Sequence, residues 1–218
     1  MTIQAVIFDM DGVLIDSEPY WYQSGVELAR EIGKNWTKSD HQSTVGLATE
    51  QWAGIMVERM ALSLTIDAVI ADMKQRMIAH YDEHLPVLPG ALEAVHIAAR
   101  NYKIGLASGS PVELIRHVID STHLNEVLKI VVHGDMVKRG KPAPDIYIEA
   151  ARQLGVSPPE CIGVEDSPNG IRALKAAGMK VLAVPSSYFP LPEDIRDMAD
   201  VVLPSLELFS TRLIDSVK

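Results

Sequence analysis

The segment Phe8-Asp9-Met10-Asp11-Gly12 places two carboxylates at i and i+2 directly after an apolar run. Leaving a strand end together, they can converge on one metal ion and one substrate. Asp and Gly are also ordinary turn residues, so the segment by itself would equally serve as a turn. It is not a calcium loop of the EF-hand kind, which needs glycine at its sixth position, because Gly12 stands fourth. A second acidic pair, Glu165-Asp166, follows another apolar run. Four carboxylates in one crevice would repel by about 4 kcal/mol per contacting pair in a surface-like dielectric, so such a cluster calls for a cation. All-oxygen ligands point to Mg2+, which is held by one or two carboxylates, water and a substrate phosphate oxygen. No thiolate or histidine cluster points to zinc, and none of the seven histidines lies in an HExxH pattern.

The formal charge of −9 over 218 residues argues against non-specific binding to nucleic acid or to an anionic membrane, which needs a basic face. A protein this acidic needs local positive charge to handle a phosphate. Lys141, just before Pro142 at a predicted helix start, supplies it at the mouth of the expected crevice; its neighbours Lys138 and Arg139 read as solvated surface. Ser108 and Gly109 follow a buried run, so the Ser108 hydroxyl and nearby backbone N–H groups can receive a phosphate oxygen; a plain cap role for Ser108 is equally open.

The elements that must position these residues are legible in the hydrophobic pattern. Short apolar, β-rich runs lie at residues 3–8, 104–107, 130–132, 162–164, 181–184 and 201–203. Between them lie helical patterns, with Leu92, Val95 and Ala99 on one face and Leu114, His117 and Val118 on another. Alternating strands and helices imply an α/β fold, a Rossmann-like parallel sheet covered on both faces. Ligands of such sheets bind beyond the carboxyl ends of the strands, where these polar residues gather. Ser110, Pro111 and Glu113 read as a helix start with a capping box.

Residues 17–83 break the alternation and contain no convincing strand. Trp52, Ile55, Met56 and Met60 follow helical spacing, and Ile66, Val69, Ile70, Met73 and Met77 repeat it; Trp21, Trp36 and Trp52 all fall here. The stretch reads as an all-helical cap inserted into a core made of residues 1–16 and 84–218. Its Met and Trp stripes read as the packing of a small bundle in preference to a ligand box. With 47% hydrophobic and 22% charged residues, a sizeable core is within reach. The lone Cys161 reads as a small buried hydrophobe. The N-terminal run lacks a basic region and is interrupted by Asp9 and Asp11, and no run approaches the ~18 residues of a spanning helix. A cytoplasmic monomer, with no membrane and no nucleic-acid partner, is expected.

Taken in order, four motifs resemble those of the haloacid dehalogenase superfamily: Asp9-x-Asp11-Gly12; Ser108 after an apolar run; Lys141 in Lys-Pro-x-Pro-Asp; and Glu165-Asp166-Ser167 followed by Asn169-Gly170. The resemblance covers essentially the whole chain, the helical insertion included. It implies a Mg2+-dependent phosphatase acting on a small phosphorylated molecule. In that scheme Asp9 attacks phosphorus and becomes an aspartyl-phosphate, and Asp11 serves as acid and then base. Ser108 and Lys141 neutralise the transferring oxygens. Mg2+ is held by the Asp9 carboxylate, the Asp11 backbone carbonyl and Asp166, with Glu165 contributing directly or through water. Asp16-Ser17-Glu18-Pro19 looks like the family's first hinge. Asp16 and Glu18 there either contact sugar or alditol hydroxyls or simply favour a helix start.

Within the superfamily the sequence is most similar to bacterial sugar-phosphate phosphatases of the 2-deoxyglucose-6-phosphate and hexitol-phosphate type. The competing resemblance is to β-phosphoglucomutase, whose cap carries a lysine and an arginine for a second phosphate. The matching segment here is Thr44-Val45-Gly46-Leu47-Ala48-Thr49, with Val45 and Thr49 at those places, so hydrolysis is favoured. A catalytically silent sugar-phosphate binding module would be expected to have lost one of Asp9, Asp11, Lys141 or Asp166, and all are present.

Overall fold

A computed structural model of the chain describes residues 2–45, 47, 49–186 and 190–217. Gly46 and Ala48, two positions of the segment compared with the mutase, lie outside the described residues. The first apolar run forms β1 (Ala5–Phe8), whose side chains are all fully buried. Ala5 and Ile7 enter one hydrophobic cluster and Val6 and Phe8 the other, the two-residue period of a strand covered on both faces. Four helices follow: α1 (Glu18–Glu31), α2 (Lys38–Gln42), α3 (Thr49–Met60) and α4 (Ile66–Glu83). Then α5 (Ala91–Ala99) leads into β2 (Lys103–Ser108), and α6 (Val112–Thr122) into β3 (Ile130–His133). α7 (Asp145–Leu154) precedes β4 (Cys161–Glu165), α8 (Pro168–Ala176) precedes β5 (Lys180–Ala183), and α9 (Glu193–Arg196) precedes β6 (Val201–Val202). The last described helix is α10 (Thr211–Ser216).

The described strands form one parallel sheet in the order β3-β2-β1-β4-β5-β6, the Rossmann-like α/β architecture expected from the alternation. After β3 the chain crosses back to lay β4 beside β1, so the strand order reverses at β1. Crevices open at such a reversal, on the carboxyl side of the strands. Phe8 is level with Leu106 on one side and with Val164 on the other. That register brings Asp9, Ser108 and Asp166 out at one edge, because each follows its level pair within one or two residues. Cys161, at the start of β4, is fully buried and burial pushes its thiol up to about 11, as suits a packing residue.

Between residues 18 and 83 the described residues contain no strand of the sheet. They bury a cluster of their own around Leu28, Trp36, Trp52, Met56, Val69 and Met73. Gly25 belongs to its construction, because a Cβ there would lie 2.7 Å from the Trp36 ring. α4 is 18 residues long, about 27 Å at 1.5 Å per residue. Its Val69 and Met73 join this cluster, while Met77 and Tyr81 join the cluster under the sheet. The expected Met stripe of α4 therefore serves two cores. No helix of the described residues is long and apolar enough to cross a membrane.

Candidate active site

Asp9 leaves β1 with its backbone N–H donating to the Val164 carbonyl at 3.0 Å, which holds it beside the end of β4. Lys141 comes from the loop before α7, and its Nζ donates to Asp9 Oδ1 at 2.8 Å and to Glu165 Oε1 at 2.7 Å. Glu165 is fully buried, and both of its oxygens are occupied. Oε1 also accepts from the Tyr147 hydroxyl at 3.0 Å; Oε2 accepts from the Ser167 N–H at 2.7 Å and the Ser167 hydroxyl at 3.0 Å. Asp166 is the next residue, and carboxylate oxygens of Asp9, Glu165 and Asp166 lie within 4.8 Å of one another. Gly12 makes room for this arrangement. Its φ is +75°, which favours glycine, and a Cβ would collide with the Asp166 carboxylate.

Asp11 sits in a different environment from Asp9. Its Oδ1 accepts from the Ser17 hydroxyl at 2.6 Å, and its Oδ2 from Ser110 at 2.7 Å and Ser108 at 3.2 Å. Ser108 is fully buried and its hydroxyl also accepts the Ser110 N–H at 3.1 Å. The expected capping box at Ser110 does not form. α6 begins at Val112 after Pro111, the Ser110 hydroxyl is spent on Asp11, and Glu113 instead pairs with Lys74 of α4 at 2.8 Å. Ser17, Ser110 and Tyr147 were not among the residues expected from the sequence. Local spacing does not reveal them, because each reaches its carboxylate through tertiary folding.

Burial, then the charges of Glu165 and Asp11, push the Asp9 carboxyl up to about 7, against the pull of Lys141. Asp166 is pushed well above the carboxylate range by burial first, then by Glu165 and Asp9. Glu165 behaves in the opposite way. Burial would raise it too, but Lys141 and the Ser167 donors outweigh that and hold it below its ordinary value. Lys141 stays charged because Asp9 and Glu165 more than offset its desolvation. Three carboxylates thus face one ammonium group, and two of the three can ionise fully only with more positive charge nearby. Hard oxygen donors this close together fit a divalent cation of the Mg2+ kind.

These groups line a cavity of about 920 Å3 between the sheet edge and helices α1 to α4. Asp9, Asp11, Gly109, Lys141 and Asp166 face it from the sheet, while Glu18 faces it from the start of α1. Asp16 does not line it. Its N–H donates to the Pro86 carbonyl at 2.8 Å, where the chain leaving β1 pairs with the chain returning to the sheet, and burial raises its carboxyl. The expected substrate contact of Asp16 is therefore not supported by its placement. Trp21, Trp36, Trp52 and Met73 pack the helices as expected and also form the cavity's apolar wall. Packing and lining are two faces of the same side chains. Arg139, read as solvated surface, is exposed and pairs with Asp145 through two hydrogen bonds at 2.8 and 3.1 Å.

A family model described as haloacid dehalogenase-like hydrolase matches residues 3–178. Hexitol phosphatase B of Escherichia coli K12 is 34% identical over 215 residues, covering 94% of this chain and 93% of that protein. Among solved structures, CbbY from Rhodobacter sphaeroides in complex with phosphate superposes with a TM-score of 0.86 at 26% identity, covering 98% of this chain and all of that one. A β-phosphoglucomutase from Clostridium difficile superposes with a TM-score of 0.81 at 25% identity, covering 98% and 96%.

Proposed function

The chain belongs to the haloacid dehalogenase-like hydrolases, and from that premise we propose that it is a Mg2+-dependent phosphatase of a sugar or alditol phosphate. The observation that carries the reading is the convergence of Asp9, Lys141, Glu165 and Asp166 at the point where the strand order reverses. An Asp9 oxygen attacks phosphorus as the ester P–O bond breaks, giving an aspartyl-phosphate. Asp11 passes a proton to the leaving alkoxide, then takes one from the water that cleaves the acyl-phosphate and returns Asp9. Ser17 and Ser110 hold the Asp11 carboxylate in place. Gly109 and Lys141 face the transferring phosphoryl oxygens, whereas Ser108, fully buried and not part of the cavity wall, donates to Asp11 instead. Asp9, Asp166 and the Asp11 backbone carbonyl would hold Mg2+, which when bound neutralises phosphoryl charge. Glu165, whose oxygens are already taken, acts by fixing Lys141 and Tyr147.

Residues 17–83 form the cap in this reading, and residues 1–16 with 84–218 form the catalytic core. The separate cluster around Trp36 and Met56 supports that division, and closure of the cap would exclude bulk water from the aspartyl-phosphate. The general test is phosphate release from p-nitrophenyl phosphate with and without Mg2+. Activity should fall to the buffer background in excess EDTA and return when Mg2+ is restored; full activity in EDTA would refute the metal. Gly12→Ala provides a finer test. By displacing Asp166 it should raise the Mg2+ concentration for half-maximal rate at least ~10-fold, the scale seen when the support of a metal ligand is disturbed. An unchanged Mg2+ titration would remove Asp166 from the metal site.

A mutase reading is kept by the likeness to β-phosphoglucomutase. Among the described residues, however, no lysine or arginine between positions 17 and 83 lines the cavity, and Val45 and Thr49 do. The cap therefore offers a second phosphate no cationic holder. Phosphorus NMR of a reaction with β-glucose 1-phosphate should show inorganic phosphate; accumulation of glucose 6-phosphate would reverse the assignment.

A further inference from the structure

The cap carries one polar device that the mechanism above does not use. Glu18 opens α1 and His41 lies in α2; His41 Nε2 stands 2.8 Å from Glu18 Oε2. Their side chains are only 16% and 10% exposed, and both line the cavity. One hydrogen bond joins the carboxylate to the imidazole. A carboxylate that served only the helix start would be solvated. This one is largely shielded from solvent and tied to another helix.

The wall around the pair has a definite character. The cap contributes two carboxylates, Glu18 and Glu50, and the tilted aromatic corner of Trp21 and Trp52, whose rings lie 5.4 Å apart. The cations of the cavity come from the sheet side: Lys141 is held by Asp9 and Glu165, Arg139 by Asp145, and Lys138 lies on the same loop. Acceptors with an imidazole suit hydroxyl groups, and aromatic faces suit the C–H surface of a sugar or alditol. A second anion at that end would meet two carboxylates instead of a cation.

Resting on the phosphatase reading, we propose that Glu18 and His41 determine specificity. They take the hydroxyls of a neutral, polyhydroxylated leaving group and turn away esters with a second anionic group at that end. The test compares kcat/KM for glucitol 6-phosphate, 6-phosphogluconate and p-nitrophenyl phosphate in the wild type, Glu18→Gln and His41→Ala. The first two esters differ by a carboxylate at the far carbon; the third has no hydroxyls. The wild type should prefer glucitol 6-phosphate over 6-phosphogluconate at least ~10-fold, and each substitution should lower the ratio of glucitol 6-phosphate to p-nitrophenyl phosphate by at least ~10-fold. Glu18→Gln should also narrow the discrimination against 6-phosphogluconate. Equal wild-type rates on the two six-carbon esters overturn the proposal without any variant, so a folding defect cannot shelter it. Proportional losses on all three esters overturn it too. No hydrolysis of any ester by the wild type with Mg2+ overturns the phosphatase reading along with it.

Discussion

Asp9→Asn should reduce Mg2+-dependent phosphate release by roughly 10^4-fold or more, the scale of removing an essential nucleophile, while the chain remains folded. The amide is close in shape to the carboxyl but cannot form the aspartyl-phosphate. The fold should tolerate it because Asp9 is held largely by its backbone bond to Val164, and Lys141 keeps Glu165 as a partner. The substitution has a second, pH-dependent signature. In the metal-free protein the Asp9 carboxyl is raised from 3.8 to about 7. A group with a raised folded value binds more protons in the native than in the unfolded state, so its contribution to stability declines as pH rises between those two values. Asparagine carries no such dependence. The melting temperature of Asp9→Asn relative to the wild type, both in EDTA, should therefore be higher at pH 8 than at pH 5. A variant with near-normal Mg2+-dependent turnover would remove Asp9 from the nucleophile's role, whatever its melting behaviour.

The parts of this site that can be read without coordinates are those tied to strand ends. Asp9, Ser108 and Glu165 each end or follow an apolar run, and parallel register then makes their convergence almost inevitable. Lys141 is legible for another reason, since a deficit of positive charge had to be met somewhere near the crevice. Ser17 and Ser110 carry no such local mark. Both look like helix-start residues in the chain, and only the bridge between Asp11 and Ile15 and the turn after β2 bring their hydroxyls onto one carboxylate. Tyr147 sits on the buried face of α7, where helical spacing marks it as core; its hydroxyl reaches Glu165 through the packing of that helix on the sheet. His41 belongs to a five-residue helix, too short for a periodic signal, whose start is fixed by the Thr37 and Asp40 capping box. Asp16 stays off the cavity wall because its segment pairs with the returning chain at Pro86 and Val87, a long-range contact that local spacing does not reveal.

Lys141→Ala separates holding the site together from performing its chemistry. Glu165 has no exposure to water, so loss of the ammonium leaves a buried carboxylate with only neutral donors from Tyr147 and Ser167. Breaking one side of such a pair costs about 3–5 kcal/mol, and the Tyr147 ring, 5.0 Å from Nζ, loses its cation as well. The metal-free variant should melt well below the wild type, and its turnover should fall by roughly 10^2-fold or more, the scale of losing one charge-stabilising donor. Adding Glu165→Gln removes the stranded charge, so the double variant should recover much of the stability, giving a coupling that a thermodynamic cycle can measure. Turnover should stay low in the double variant, because glutamine supplies no positive charge to the transferring phosphoryl group. Recovery of both stability and turnover would make Lys141 purely structural. Recovery of neither would mean that its contact with Asp9, rather than its contact with Glu165, carries the stability of the site.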